Sequence, residues 1–369
     1  MEHALEQFLG REWQRRGWFA CLLWPVSMLL RLLIWLRRTA YARGWLQSTR
    51  LPVPVVVVGN IFVGGTGKTP LTIWLVQSLQ AAGWQPGVIS RGHGVSGEKA
   101  AVQEVLAESD PARVGDEPLL IARRRGCPVF VGRNRTEAGQ ALLLAYPGVN
   151  ILISDDGLQH YALQRDVELM LFDTRGVGNG WLLPAGPLRE SVRRRADFVV
   201  FNGPDAPPEE APMWTQAPEL FQMQLRGEMA ENLLDPAMKQ PLSRFAGRGL
   251  AAAGIGHPQR FFSMLREAQL EFDELPLPDH YAWQHNPFLA DAAAGAEVQH
   301  GTDHYAKAGG RWPAVNPDWI LITEKDAVKC RQHSELKHDR RIWVVPVSAH
   351  IDAALAQHIV EKCRGFPIT

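Results

Sequence analysis

Lys68-Thr69 closes the glycine-rich stretch Gly64-Gly65-Thr66-Gly67, and a lysine and a hydroxyl at the end of such a loop can hold a polyphosphate. Backbone N–H groups of a glycine loop point at an anion, the dipole of a following helix favours negative charge, and Lys68 adds a cation for the outer phosphates. The Thr69 hydroxyl suits Mg²⁺. The candidate nucleotide cradle is therefore Gly64, Gly65, Thr66, Gly67, Lys68 and Thr69. The strict pattern G-x-x-x-x-G-K-[ST] asks for glycine at position 62, where the chain has Phe62; Gly59 and Gly64 flank it instead. A second group with chemistry is the carboxylate pair Asp155-Asp156. Two adjacent carboxylates in a sheltered crevice repel each other unless a cation neutralises them, and Mg²⁺ shared with Thr69 would do so. Asp116-Glu117 ahead of Pro118 either caps a helix or supplies an acid to a site. Arg91 and His93 lie in a glycine-bearing loop, and Arg133 and Arg135 end another apolar run, so each is a candidate to face phosphate.

The elements that must present these groups are legible around them. Val55–Val58 is a run of four β-branched residues, the composition of a strand buried on both faces in a parallel sheet. The apolar spacing of Leu71–Leu79 predicts a helix after the loop, so strand, glycine turn and helix N-terminus follow in order. Apolar runs at 87–90, 129–131, 149–153, 167–172 and 198–201 predict further strands, the third ending in the paired acids as a Walker-B strand does. Residues 204–218, rich in Pro, Glu and Ala, read as a linker or exposed loop. Leu250–Pro258 reads as strand, loop and helix start, and Trp319–Asp326 as a late strand and turn. Its Thr323-Glu324-Lys325-Asp326 only superficially resembles the guanine-reading N-K-x-D, lacking the asparagine, so GTP is disfavoured. The expected fold class is α/β: a P-loop NTPase-type parallel sheet with helices on both faces, a smaller second α/β lobe, and an N-terminal apolar helix. The expected boundaries are 1–50, 51–225 and 226–369.

With 369 residues the chain is long enough for two domains. Its 39 basic and 39 acidic residues balance, so net charge identifies no acidic partner, and no nucleic-acid partner is expected. Cys21, Cys127, Cys330 and Cys363 form no C-x-x-C pair, which excludes a zinc knuckle and fits unpaired thiols in a reducing compartment.

Charge is unevenly placed, however: residues 1–50 hold eight arginines against three glutamates. Trp18–Leu36 is almost wholly apolar and, as one helix, about 28 Å long, barely enough to cross a bilayer. Pro25 interrupts it, and Arg31 sits inside the apolar run with Ser27 one turn away on a shared polar stripe. Arg37, Arg38 and Arg43 with nearby tryptophans suit an anionic headgroup layer. The preferred reading is a helix lying in the membrane surface. A true span, a helix packed on the protein's own core and a signal peptide ending at Ala40-Tyr41-Ala42 are the alternatives.

In order along the chain, GNIFVGGTGKTP, VISRGHG, VGDEP, SDDGLQH, GNGWLLPAGPLRE, GIGHPQRFF, PDH and TEKDAVKC resemble the tetraacyldisaccharide 4'-kinases of lipid A biosynthesis, from about residue 12 to 350. The resemblance implies an ATP- and Mg²⁺-dependent enzyme at the cytoplasmic face of the bacterial inner membrane. Its reaction moves the γ-phosphate to the 4'-hydroxyl of an acylated glucosamine disaccharide 1-phosphate, giving lipid IVA. It implies two α/β/α lobes joined by a small β linker, with the site between them. It further implies Asp116 as catalytic base, His280 as its partner, Asp155 and Asp156 at the metal, and Gln159, Arg189 and Glu190 near substrate, where the loop position of Arg91 also makes it a candidate. Leu289–Trp312 departs from the family pattern and reads as an insertion; His300 and His304 lie four apart there, but with no third ligand evident they read as a solvated loop. The rival reading is a membrane-associated P-loop regulatory or assembly ATPase, and a soluble small-molecule kinase is a third.

Overall fold

The computed structural model describes residues 8–92, 102–207, 219–279, 281, 283, 286–288 and 317–365. The chain divides into two compact units: residues to Arg226 together with those from Ser348 onward, and Gly227–Val347.

The first unit is built on β1 (Val55–Gly59), β2 (Pro86–Ser90), β3 (Gln103–Glu104), β4 (Val129–Val131), β5 (Ile151–Asp155), β6 (Val167–Asp173), β7 (Phe198–Asn202), β8 (Glu219–Arg226) and a late strand, Ser348–Ile351. The late strand lies at one edge, followed by β8-β7-β6-β1-β5-β2-β4-β3. Strands β8 to β4 in this order pair in parallel, while the two outermost pairings are antiparallel. The four valines of β1 are all buried, as their β-branched run requires in a central parallel strand. Because these strands run one way, the loops after β1, β2, β4, β5, β6 and β7 gather at one edge, the carboxyl edge where α/β sheets bind ligands.

Helix α1 (Trp18–Ala42) is continuous through Pro25. Only 11% of its most apolar 18-residue window is buried, so most of its apolar surface is not packed on the protein's own core. Trp18, Leu22, Leu29, Leu32, Leu33 and Trp35 are exposed. Ser27 departs from the expected polar stripe: it is fully buried, its hydroxyl bonded to the backbone near Leu182, whereas Arg31 is exposed. Helix α2 (Lys68–Ala81) buries Leu71, Ile73, Leu75, Val76 and Leu79 and so is covered on most sides, by the sheet and by other helices. Two short helices, α3 (Pro111–Val114) and α4 (Asp116–Arg125), meet at Gly115, whose φ of 90° only glycine adopts freely. Helix α5 (Arg135–Ala145) follows β4, with Asn134 capping its first turn through Thr136 N.

The second unit holds β9 (Met229–Asn232), β10 (Lys239–Pro241), β11 (Gly249–Ala253), β12 (Phe272–Pro276), β13 (Trp319–Thr323) and β14 (Ile342–Val345), ordered β10-β9-β14-β13-β11-β12. Helices α6 (Pro258–Glu267), α7 (Glu324–Cys330) and α8 (Ser334–Lys337) belong to it. The chain then returns to the first unit as β15 (Ser348–Ile351) and α9 (Ala354–Cys363). This differs from a second lobe running to 369, because β15 pairs with β8 rather than with any strand of the second sheet. The four cysteines are unpaired, Cys127, Cys330 and Cys363 being buried. The stretch 289–312 and most of 204–218 lie outside the described residues.

Candidate active site

The loop between β1 and α2 is held in shape by polar groups from several strand ends. Gly59 is required where β1 ends, since a Cβ there would stand 2.7 Å from Leu158 Cγ in the loop after β5. Asn60, fully buried, donates its side-chain amide to Gly64 O at 3.3 Å and to Thr66 Oγ1 at 3.0 Å. Lys68 Nζ donates to Asn60 Oδ1 at 3.4 Å. Phe62, in place of the pattern's first glycine, is buried and forms a backbone bridge with Leu188. The guanidinium of Arg175 lies 4.4 Å from the centre of its ring. Arg175 also donates to Gly65 O at 2.8 Å while a fork to Asp173 fixes it, Nη2 to Oδ2 at 2.7 Å. The departure at position 62 thus exchanges a flexible residue for an anchor.

Gly67 caps α2 with φ 99°, and no side chain among the described residues caps that helix end. The first-turn amides of α2 therefore face the loop with the positive end of the helix dipole behind them. All six proposed cradle residues lie on this one turn, and Thr69 is buried.

Asp155 ends β5 beside Val58 of β1. Its Oδ1 accepts from Thr72 Oγ1 at 3.2 Å and its Oδ2 from Ser90 Oγ at 3.4 Å, so hydroxyls of α2 and β2 orient it. Burial, with the charges of Glu117 and Asp156 added, pushes its carboxyl up to about 7 against the pull of Lys68. Asp156 takes a left-handed φ of 49°, uncommon for a non-glycine residue, at the mouth of the loop. Its carboxylate stands 3.6 Å from Lys68 Nζ and 3.4 Å from Arg189 Nη1. Among the described residues no three His, Cys, Asp or Glu side chains gather as a metal cage. The donor set is nevertheless all oxygen: two adjacent carboxylates at the end of β5, with the Thr69 hydroxyl in the first turn of α2. That chemistry fits Mg²⁺, which takes few protein ligands and keeps water and phosphate oxygens.

The remaining candidates divide. Asp116 is buried in the first turn of α4, its Oδ1 accepting from Glu117 N at 3.1 Å. Arg91 is exposed just past β2, and its charge with those of Arg135, Arg165 and Arg37 acts on His160. Gln159 turns its amide to Asn60 O at 3.3 Å and so braces the phosphate loop. Arg189 donates from its backbone N to Ile61 O at 2.7 Å as well as pairing with Asp156. Glu190 points the other way: it is buried and accepts from Tyr161 Oη at 2.6 Å and Arg194 Nη1 at 2.7 Å. The Arg193-Arg194-Arg195 run is accordingly not a uniform solvated face, since Arg194 is buried between Glu190 and Glu168. Arg135 is buried, donating to Asp156 O at 3.5 Å, and burial lowers its guanidinium to about 10 against the attraction of Asp156. His93 and His280 lie outside the described residues.

Asn60, Thr72, Ser90, Asp173, Arg175 and Asn202 are site residues that motif reading passed over. Asp173 and Asn202 were visible as polar residues ending strands, but only parallel pairing of β6 and β7 next to β1 brings them to the loop.

Residues 19–364 match the family model described as tetraacyldisaccharide-1-P 4'-kinase. The chain is 53% identical to the tetraacyldisaccharide 4'-kinase of Herminiimonas arsenicoxydans, covering 99% of this chain and 98% of that one. It is 54% identical to the enzyme of the same name from Janthinobacterium sp. (strain Marseille), over 99% and 98% respectively. In fold it is similar to a crystal structure of "apo" form LpxK from Aquifex aeolicus in complex with ATP, with a TM-score of 0.69 at 24% identity, covering 94% of this chain and 99% of that one. Matched over this length and at this identity, the chain belongs to the tetraacyldisaccharide-1-P 4'-kinase family.

Proposed function

We propose that this kinase transfers the γ-phosphoryl group of ATP in line to the 4'-hydroxyl of tetraacyldisaccharide 1-phosphate, and that the side chains described above share the work as follows. The observation that carries the reading is the placement of Lys68 Nζ between Asn60 Oδ1 and Asp156 Oδ1, at the N-terminus of a helix that no side chain among the described residues caps. A cation there, at the positive end of a helix whose first-turn backbone faces the loop, is the arrangement that binds β- and γ-phosphates. ATP is the proposed nucleotide, as in the Aquifex aeolicus protein solved with it.

Asp155, Asp156 and Thr69 would hold Mg²⁺, whose chemistry when bound is to neutralise charge on the phosphate oxygens. Arg189 balances Asp156 and stands ready to contact the transferred group. Asp116 acts as the general base for the sugar hydroxyl; its place in the first turn of α4 lets the helix dipole favour the carboxylate. His280 is proposed to orient it. Arg91 is proposed to meet a substrate phosphate, and Gln159 and Glu190 to support the site through Asn60 and Arg194. Helix α1, with its exposed apolar surface and flanking arginines, would lie on the cytoplasmic leaflet, where its acylated substrate and ATP coexist.

The decisive experiment follows [γ-³²P]ATP with and without the acylated disaccharide. Label in the lipid, lost with Lys68→Ala, supports the reading; label released only as free phosphate, regardless of lipid, would overturn it in favour of an ATPase.

A further inference from the structure

Ser27 is fully buried in a helix whose neighbouring turns face outward. Its hydroxyl donates to Leu182 O at 2.7 Å and accepts from Ala185 N at 3.0 Å. A second tie lies just upstream of the helix. Trp13 Nε1 donates to Pro184 O at 3.0 Å, and Asn179 N donates to Trp13 O at 2.7 Å. The Asn179 side chain donates to Ala185 O at 2.8 Å and to Arg15 O at 3.2 Å.

The segment held by these bonds, 179–189, continues directly into the nucleotide site. Val63 N donates to Pro187 O at 3.0 Å, Arg189 N to Ile61 O at 2.7 Å, and Phe62 bridges to Leu188. It ends on the guanidinium that pairs with Asp156. One face of the segment therefore grips the apolar N-terminal region, and the other forms a wall of the phosphate loop.

We infer that Ser27 and Asn179 are positioning residues for phosphoryl transfer: they latch α1 to segment 179–189, so that seating α1 on a lipid surface sets the geometry of the Lys68 loop and Arg189. A hydroxyl that both donates and accepts fixes the helix along its axis as well as against its neighbour, which sliding apolar contact does not. Buried polar bonds of this kind specify one arrangement, because breaking either leaves a backbone group unsatisfied. The inference rests on the kinase reading above and concerns how the lipid-facing helix communicates with that site.

The test uses full-length protein, mixed micelles carrying tetraacyldisaccharide 1-phosphate, and vesicles of phosphatidylglycerol. Ser27→Ala is assayed at a temperature where near-UV circular dichroism shows it folded, with Trp13→Phe as a milder variant that loses one bond to the segment. Ser27→Ala is expected to lower kcat about tenfold, the scale of a slightly misplaced reacting group, with vesicle binding and lipid KM within about twofold of the parent. Trp13→Phe is expected to move kcat in the same direction by a smaller factor. Unchanged kcat per folded molecule in both variants would overturn the latch, as would a loss of activity that only tracks a loss of vesicle binding. Failure of the parent protein itself to label lipid would instead overturn the kinase reading.

Discussion

Asn202 Nδ2 donates to Thr66 O at 2.8 Å, so a strand two places from β1 in the sheet holds the carbonyl just before the Gly67 turn. The bond is buried, and nothing in the Lys68 motif itself supplies it. Removing the donor leaves a buried carbonyl unsatisfied and loosens the loop, a cost of about 1–3 kcal/mol. Asn202→Ala is therefore expected to raise the KM for ATP about tenfold or more while the KM for the lipid acceptor stays near the parent value, read from paired substrate titrations.

Gly67 is confined twice over. Its φ of 99° is strained for any L side chain, and a Cβ would lie 2.5 Å from Asn202 Nδ2. Gly67→Ala is expected to abolish measurable nucleotide binding in calorimetry, with a fall in melting temperature of only a few degrees, since the strain is confined to the one turn before α2.

His160 gives a pH signature. Burial first, then the charges of Arg135, Arg165, Arg37 and Arg91, push its imidazole from the ordinary 6.5 down to about 4, and its Nε2 accepts from Arg135 N at 3.3 Å. A base whose folded pKa is depressed binds fewer protons in the native state than in the unfolded state between those values. Its contribution to stability is therefore complete above about pH 6.5 and is lost as pH falls toward 4. Carbon-detected NMR of the ring should show a neutral imidazole at pH 6; a midpoint near the ordinary value would refute the assignment.

The parts of the site that repeat along the chain at short range were the legible parts. Four β-branched residues, a glycine turn and an apolar run at helical spacing announced β1, the loop and α2, and apolar residues ending in Asp155-Asp156 announced β5. What escaped depends on pairing between distant segments. Arg175 reaches Phe62 and Gly65 across more than a hundred residues, and Asn202 reaches Thr66 over a greater distance still. Arg194 sits in a basic triplet whose composition suggests solvent, yet Glu168 and Glu190 bury it. Likewise Ser348–Ile351 is too short and too polar to declare its sheet, and only its ladder to β8 does so.

In the second unit, Asp326 is fully buried and accepts from Thr323 Oγ1 at 2.6 Å, Gly254 N at 3.0 Å and Trp283 Nε1 at 3.0 Å. It joins the loop after β11, the start of α7 and a core tryptophan. Asp326→Ala breaks all three bonds and is expected to cost about 3 kcal/mol, the scale of disrupting a buried network. Urea unfolding followed by tryptophan fluorescence measures it.

The point at which the chain departs to build its second unit has an engineering consequence. Arg226, the last residue before departure, lies opposite Ser348, the first after return, as partners in one antiparallel ladder. Such neighbouring ends can be spliced by a tight hairpin turn. Replacing 227–347 with Asn-Gly is expected to yield a nucleotide-binding miniature that retains Mg·ATP affinity and has lost turnover, which equilibrium dialysis and the lipid-labelling assay would report side by side.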